Sequence, residues 1–168
     1  NVLMGSYAGD AITTGASNLA IGYNALGSVT TASNNMGIGQ SAGGAITTGT
    51  QNVVIGFAAG DALTDADWNV AVGNGALTAD TLGSRSVAIG PYALGAQNFT
   101  SATDTYNTAV GAFAGEVITT GTHNTLIGGL AGDSITTGDS NTFLGKGAGS
   151  STTTPDHNTG VGRDALFT

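Results

Sequence analysis

Several stretches of this chain carry residue types that do chemistry in other settings. Gly37-Ile38-Gly39-Gln40-Ser41-Ala42 has the spacing of a dinucleotide fingerprint, whose glycines admit a pyrophosphate to the backbone ahead of a helix. Gly145-Lys146-Gly147 offers the lysine of a phosphate loop, but the upstream glycine is missing. His123 and His157 supply imidazoles, frequent metal ligands. Asp10, Asp61, Glu116 and Asp133 supply carboxylates, which suit calcium. Thr-Thr pairs recur, as at Thr13-Thr14 and Thr136-Thr137, and threonine arrays suggest ice binding or O-linked sugars. Asn98-Phe99-Thr100 is a formal N-glycosylation triplet.

What must position these residues is a repeat. The frame Asn-x-x-aliphatic-Gly opens at Asn1, Asn18, Asn35, Asn52, Asn69, Ser86, Asn107, Asn124, Asn141 and Asn158. Successive openings lie 17 residues apart, except for 21 between Ser86 and Asn107. A fixed period of this size predicts a solenoid, here with ten coils. Glycine stands four residues after every opening, as at Gly22 and Gly128. That column suits positive φ or close packing against a neighbouring backbone. The preceding residue is always a large aliphatic, as at Ile21 and Ile127, and is expected to stack as an interior ladder. Alanine always stands seven residues after the opening, as at Ala25 and Ala131, which implies a tight corner. The openings, typified by Asn18 and Asn124, predict an axial ladder of amide hydrogen bonds.

The second half of the cleanest coils reads Ile-Thr-Thr-Gly, at 12–15, 46–49, 118–121 and 135–138. A second short strand, ended by a glycine turn, is expected there. It decays elsewhere, as in Leu63-Thr64-Asp65-Ala66 and Thr152-Thr153-Thr154-Pro155. No sustained 3.6-residue period appears, so no helix is expected.

The frame absorbs most of the chemistry. Gly39 and Ala42 belong to framework columns, so the dinucleotide resemblance is architecture. His123 and His157 lie two coils apart, roughly 10 Å at about 4.8 Å per level, too far to share a metal within one chain. They read as surface residues. The four acids share one column after the alanine corner and read as solvated turn residues, since no nine-residue calcium repeat is present. Adjacent threonines of a strand would point to opposite faces, which argues against a flat ice-binding array. The spacings assemble no Ser-His-Asp group. No enzyme activity, cofactor or metal is therefore expected. The individual segment is residues 95–106, which holds the four extra residues. There Gln97, Asn98, Phe99, Asp104 and Tyr106 suit contact with a glycan or a partner, while a bulge without a ligand is the alternative.

Composition narrows the partners. Charged residues make up 8% of the 168, and the net charge is −8 with only Arg85, Lys146 and Arg163 as fixed cations. Three scattered cations cannot neutralise a run of phosphates, so nucleic acid is not an expected partner. No apolar run reaches the roughly 20 residues of a membrane-spanning helix. Cysteine is absent, which removes disulfides and thiol chemistry. A chain opening on Asn1 is expected to be one solenoid segment, residues 1–168, of a longer fibre protein. Few surface charges favour association. In the first strand both faces are apolar or small, and a strand covered on both faces needs a second layer from partner chains.

Ser86-Val87-Ala88-Ile89-Gly90 and its relatives at 18–22, 69–73, 107–111 and 124–128 resemble the head repeats of trimeric autotransporter adhesins. Similar repeats occur in bacteriophage tail fibres. The resemblance covers essentially the whole chain and implies a left-handed parallel β-roll of three chains about one axis. The present period is longer than that of the adhesin head, so the Thr-Thr-Gly arm is expected to project further. The implied role is a structural and adhesive segment of an extracellular fibre on a cell surface or virion, alternatively an ice- or glycan-binding solenoid. Its partners would be two further copies, end-to-end neighbours in a filament, and a host surface glycan or receptor.

Overall fold

The computed structural model describes residues 1–151, 153–154 and 156–166. Thr152 and Pro155 of the last decayed arm lie outside them. The elements are β1 (Val2–Met4), β2 (Leu19–Ile21), β3 (Met36–Ile38), β4 (Val53–Ile55), β5 (Val70–Val72), β6 (Gly83–Ser84), β7 (Val87–Ile89), β8 (Thr103–Asp104), β9 (Thr108–Val110), β10 (Thr125–Ile127), β11 (Thr142–Leu144) and β12 (Thr159–Val161). All but β6 and β8 form one ten-stranded sheet in chain order. Every neighbour is parallel, with partners such as Leu19↔Met36 one period apart. The chain is a parallel β-solenoid, and among the described residues there is no helix.

Each strand is three residues long, too short to persist alone. It survives because nearly every backbone group finds a partner one coil away. The glycine after each strand shows how. Gly22 has φ near +132°, and its N–H donates to Met4 O of the preceding coil at 2.8 Å. A Cβ there would sit 2.5 Å from Gly39 O, so both expected reasons for glycine hold. Non-glycine residues also occupy left-handed corners, in three columns of the repeat, typified by Trp68, Tyr92 and Leu94. Trp68 (φ 63°) and Tyr92 (φ 55°) each donate their N–H to the preceding coil, to Thr50 O at 3.1 Å and Asn74 O at 2.9 Å. The inter-coil bond offsets a conformation that costs about 1 kcal/mol or more per residue.

The interior differs from expectation in one respect. The strand's central residue points inward: Ala20, Val54, Ala71, Ala88, Ala109, Leu126 and Phe143 are all fully buried. The aliphatics at Ile21 and Ile127, expected as an interior ladder, do stack in register but face outward, Ile127 being 38% exposed. Alternation fixes which residues share a face, not which face is inside, and here both faces are apolar. The alanine corner is as expected, with Ala25 and Ala131 fully buried.

The core is filled by a size exchange between two inward columns. Small Ala20, Ala71 and Ala88 share their levels with buried Leu26, Leu77 and Leu94. Where the strand instead brings Val54, Leu126 or Phe143, glycine (Gly60, Gly132, Gly149) replaces the leucine. A Cβ on Gly132 would lie 2.8 Å from Leu126, so these levels hold one bulky group, not two; where both columns are small, at Gly37/Gly43 and Ala109/Gly115, side chains of the adjacent levels such as Leu26 and Leu126 reach in.

The Ile-Thr-Thr-Gly arms are bends, not strands; among the described residues only β6 and β8 pair there, beside the insertion. Ile46, Ile118 and Ile135 fill the core from these arms. Gly15 has no left-handed φ; its Cβ would collide with Ala32 O, so close approach of coils, not turn geometry, selects glycine.

Gly22→Ala combines backbone strain with a clash that neither coil can relieve. It is expected to lower stability by at least about 2 kcal/mol, read as a reduced urea midpoint at unchanged m-value.

Candidate contact surface at the insertion

The openings make a buried ladder. Asn35 N–H donates to Asn18 Oδ1 at 2.9 Å, while Asn18 Nδ2 donates to Ala32 O at 2.9 Å. The same pair of bonds recurs at Asn124, whose N–H donates to Asn107 Oδ1 and whose Nδ2 donates to Gly138 O. The amide thus clamps backbone of its own and the next coil. Direct amide–amide bonds, the form expected from the sequence, are longer and occur at only some levels, as Asn52 Nδ2 to Asn35 Oδ1 at 3.2 Å.

Three departures from the repeat meet at one place. Ser86 replaces an opening asparagine, Asp80 and Gln97 occupy the inward column held elsewhere by Ile46 or Leu63, and the four extra residues follow. Gln97 does the work of the missing amide. Its Nε2 donates to Asp80 Oδ2 at 2.6 Å and Ser86 Oγ at 2.8 Å, and its Oε1 accepts from Asn107 Nδ2 at 2.8 Å. Thr105, beyond the extra residues, donates to Ser84 O and accepts from Ser86 Oγ at 2.6 Å. Asp80 Oδ1 accepts the N–H groups of Gly83 and Phe99, both at 3.0 Å. Asp80, Ser86, Gln97 and Thr105 are completely buried. Burial raises the Asp80 pKa above its ordinary value, opposed by its hydrogen bonds from Phe99, Gln97, Gly83 and Thr81.

The five residues expected at a contact loop therefore divide. Gln97 and Phe99 are buried and belong to the interior, because the insertion had to replace lost core and lost amide. Asn98, Asp104 and Tyr106 are exposed. Asp104 pairs with Arg85 at 3.0 Å. The Arg85 guanidinium lies between two rings, 5.5 Å from the centre of Trp68 and 5.8 Å from that of Tyr106, and Tyr106 stacks on His123 at 5.4 Å. Trp68, Arg85, Tyr106 and His123 occupy one outward column, the residue before each opening, at successive levels. From the sequence Trp68 was not singled out and Arg85 only as one of three scattered cations, although they share the column of His123 and His157. Because neighbours take the ring faces, the stack offers edges and charge to a partner, not a free aromatic platform.

Elsewhere polar side chains are mostly engaged along the axis. In most arms the first threonine bonds the next coil, as Thr13 Oγ1 to Thr30 O at 3.1 Å. Thr13 and Thr14 are both exposed, not on opposite faces as expected, because the arm is a bend. Asp67 and Asp139 accept N–H groups from Thr50 and Thr122, a ladder that the sequence reading missed. In the acid column, Asp61 accepts from Thr78 Oγ1 at 2.6 Å, whereas Asp133 keeps one buried oxygen without a partner. Among the described residues no three His, Asp or Glu side chains gather to hold a metal, no pocket is present, and no helix is long and apolar enough to cross a membrane.

The outer face of the ten-stranded sheet is a uniform, partly exposed surface. Two columns cover it, one running from Val2 through Val53 and Val87 to Thr108 and Thr159, the other from Met4 through Ile55 to Val161. Neither carries a charge. No protein-family model, no curated protein and no solved structure matches the chain.

Gln97→Ala leaves Asp80, Ser86 and Asn107 short of partners and is expected to cost roughly 3 kcal/mol, whereas exposed Asn98→Ala stays within about 0.5 kcal/mol. Urea titrations of both variants report this difference. With a folded pKa above the unfolded value, Asp80 contributes its full stability below the ordinary carboxylate range. That contribution is lost as pH rises through the raised folded pKa. Stability measured across the acidic range should show this fall in the parent chain and lack it in Asp80→Asn.

Proposed function

We propose that the chain is a structural and adhesive segment of an extracellular fibre, built as a left-handed β-roll from three copies around a common axis. The observation that carries this reading is the uncharged outer sheet face. Ten levels of Val, Ile, Leu, Met and Thr line it, and Met4, Ile89, Ile127, Leu144 and Val161 are 38–66% exposed in a single chain. Contiguous apolar faces of this kind mark association surfaces. Covering it with sister chains would bury both sides of the sheet, as parallel sheets prefer. At about 4.8 Å per level the ten strands make a rod roughly 45 Å long. Three copies of any weak contact on its corners would act with avidity. A fibre on a bacterial surface or a phage virion, with end-to-end joining and a host glycan or receptor as target, fits such a rod.

Ligand binding is the second reading, favoured by exposed Asn98 and by exposed Asp104 and Tyr106, which both contact Arg85. Glycan-array and thermal-hysteresis assays separate it from a scaffold role.

Sedimentation equilibrium of the isolated segment should give the mass of three chains, and Ile55→Lys on the outer face should shift it toward one. A well-folded parent monomer contradicts the fibre reading.

A further inference from the structure

Coils of a repeat this regular are nearly interchangeable. The opening amide makes the same bond at many levels: Asn52 N–H donates to Asn35 Oδ1 and Asn69 N–H to Asn52 Oδ1, both at 2.9 Å, and Asn141 N–H to Asn124 Oδ1 at 3.0 Å. Eleven residues after the opening, the core receives a similar aliphatic, as Ile46, Leu63, Ile118 or Ile135. A coil stacked on the wrong neighbour, with one coil looped out or with a coil from another copy, would keep these contacts. Misassembly of this kind is a characteristic failure of repeat proteins.

The coils that open at Asn69, Ser86 and Asn107 are different, because their buried side chains specify one another. Gln97 Nε2 reaches Asp80 Oδ2 in the preceding coil at 2.6 Å, and Gln97 Oε1 accepts from Asn107 Nδ2 in the following coil at 2.8 Å. Ser86 Oγ joins Gln97 to Thr105. Asp80 Oδ1 accepts the Phe99 N–H of the following coil at 3.0 Å. All five side chains are completely buried. The set closes only when the three coils lie in this order. Without the middle coil, Asp80 would face Ile118 and lose both donors from its neighbour, Gln97 and Phe99. The rest of the interior would still fit, since Leu77 shares the column of Leu94, Ala71 that of Ala88, and Asn69 that of Ser86.

We propose that the network of Asp80, Ser86, Gln97, Thr105 and Asn107 is a register lock, which selects the native order of these three coils against stackings that the rest of the repeat accepts. Its force comes from asymmetry. A buried carboxylate that loses its donors is penalised far more than an aliphatic that exchanges one aliphatic neighbour for another. Single buried polar residues fix the register of coiled coils in the same way, at some expense of stability. The middle coil is also the one that carries the insertion, with Asp104 and Tyr106 against Arg85. A slip at this level would remove that surface, so the lock secures its display. The inference stands apart from the fibre reading, since it concerns the order of coils within one chain.

Deleting residues 86–106 builds the slipped neighbour into the chain, because the coil of Asn107 then follows directly on that of Asn69. Asp80→Leu is introduced into both the full chain and this deletion; Leu63, one coil earlier in the same column, shows that leucine fits there. Urea titrations compare the four proteins. In the full chain the substitution is expected to lower the folded-to-unfolded ratio, because it opens the network. In the deletion it is expected to raise that ratio by at least about a hundredfold, or to restore a folding transition that the deletion alone has lost. An effect of the same sign in both backgrounds overturns the lock. So does a deletion that gains nothing from Asp80→Leu, whether it is already as stable as the full chain or stays unfolded.

Discussion

The structure depends on one constraint: each coil must present its backbone to the next at a spacing of 17 residues. Strands of three residues have no independent stability, and their hydrogen bonds exist only between coils. The buried asparagine ladder enforces the spacing, since each amide binds the backbone of its own coil and of its neighbour. Glycine at the strand exit enforces it from the other side by allowing coils to approach until no Cβ would fit. The left-handed corners are tolerated for the same reason. Stability of such an object is close to a sum over levels and the interfaces between them.

The insertion shows what happens when the constraint is broken. Twenty-one residues instead of 17 displace the backbone that an asparagine at position 86 would have clamped. Gln97 and Asp80 enter the core and rebuild the clamp from side chains, at the cost of a buried carboxylate without a cation. Two aliphatic rungs are exchanged for a network in which each donor has an acceptor. Such a network holds only when complete.

Much of this was legible in the sequence. Period, parallel stacking, the glycine and alanine columns and the existence of an asparagine ladder all follow from spacing and residue size. The inside and outside of the strand did not follow, because Ala20 and Ile21 are both apolar and no polar contrast marks the solvent side. The arms were misread as strands because Ile-Thr-Thr has β character, whereas the hydroxyls bond along the axis and the glycine serves close approach. Gln97 and Phe99 looked like contact residues because they sit in the segment that holds the four extra residues. Their burial becomes visible only when Asp80, Ser86 and Thr105 are brought to adjacent levels. The size exchange between Leu26 and Gly132 columns is also written in the sequence, but only a known pair of inward columns lets it be read. Many polar side chains hold coils together, and the surfaces left facing outward include the uncharged columns of the sheet and the aromatic–cation stack at Arg85. The fibre reading rests on those surfaces.

The most direct test of the central claim is the thermal unfolding of two deletions. Removing residues 35–51 takes out one whole level, so the flanking columns close up in register, and a cooperative transition near that of the parent is expected. Removing residues 35–50 leaves one residue too many, which breaks every column at the junction and should abolish or split the transition. Equal stability of the two deletions would contradict the account.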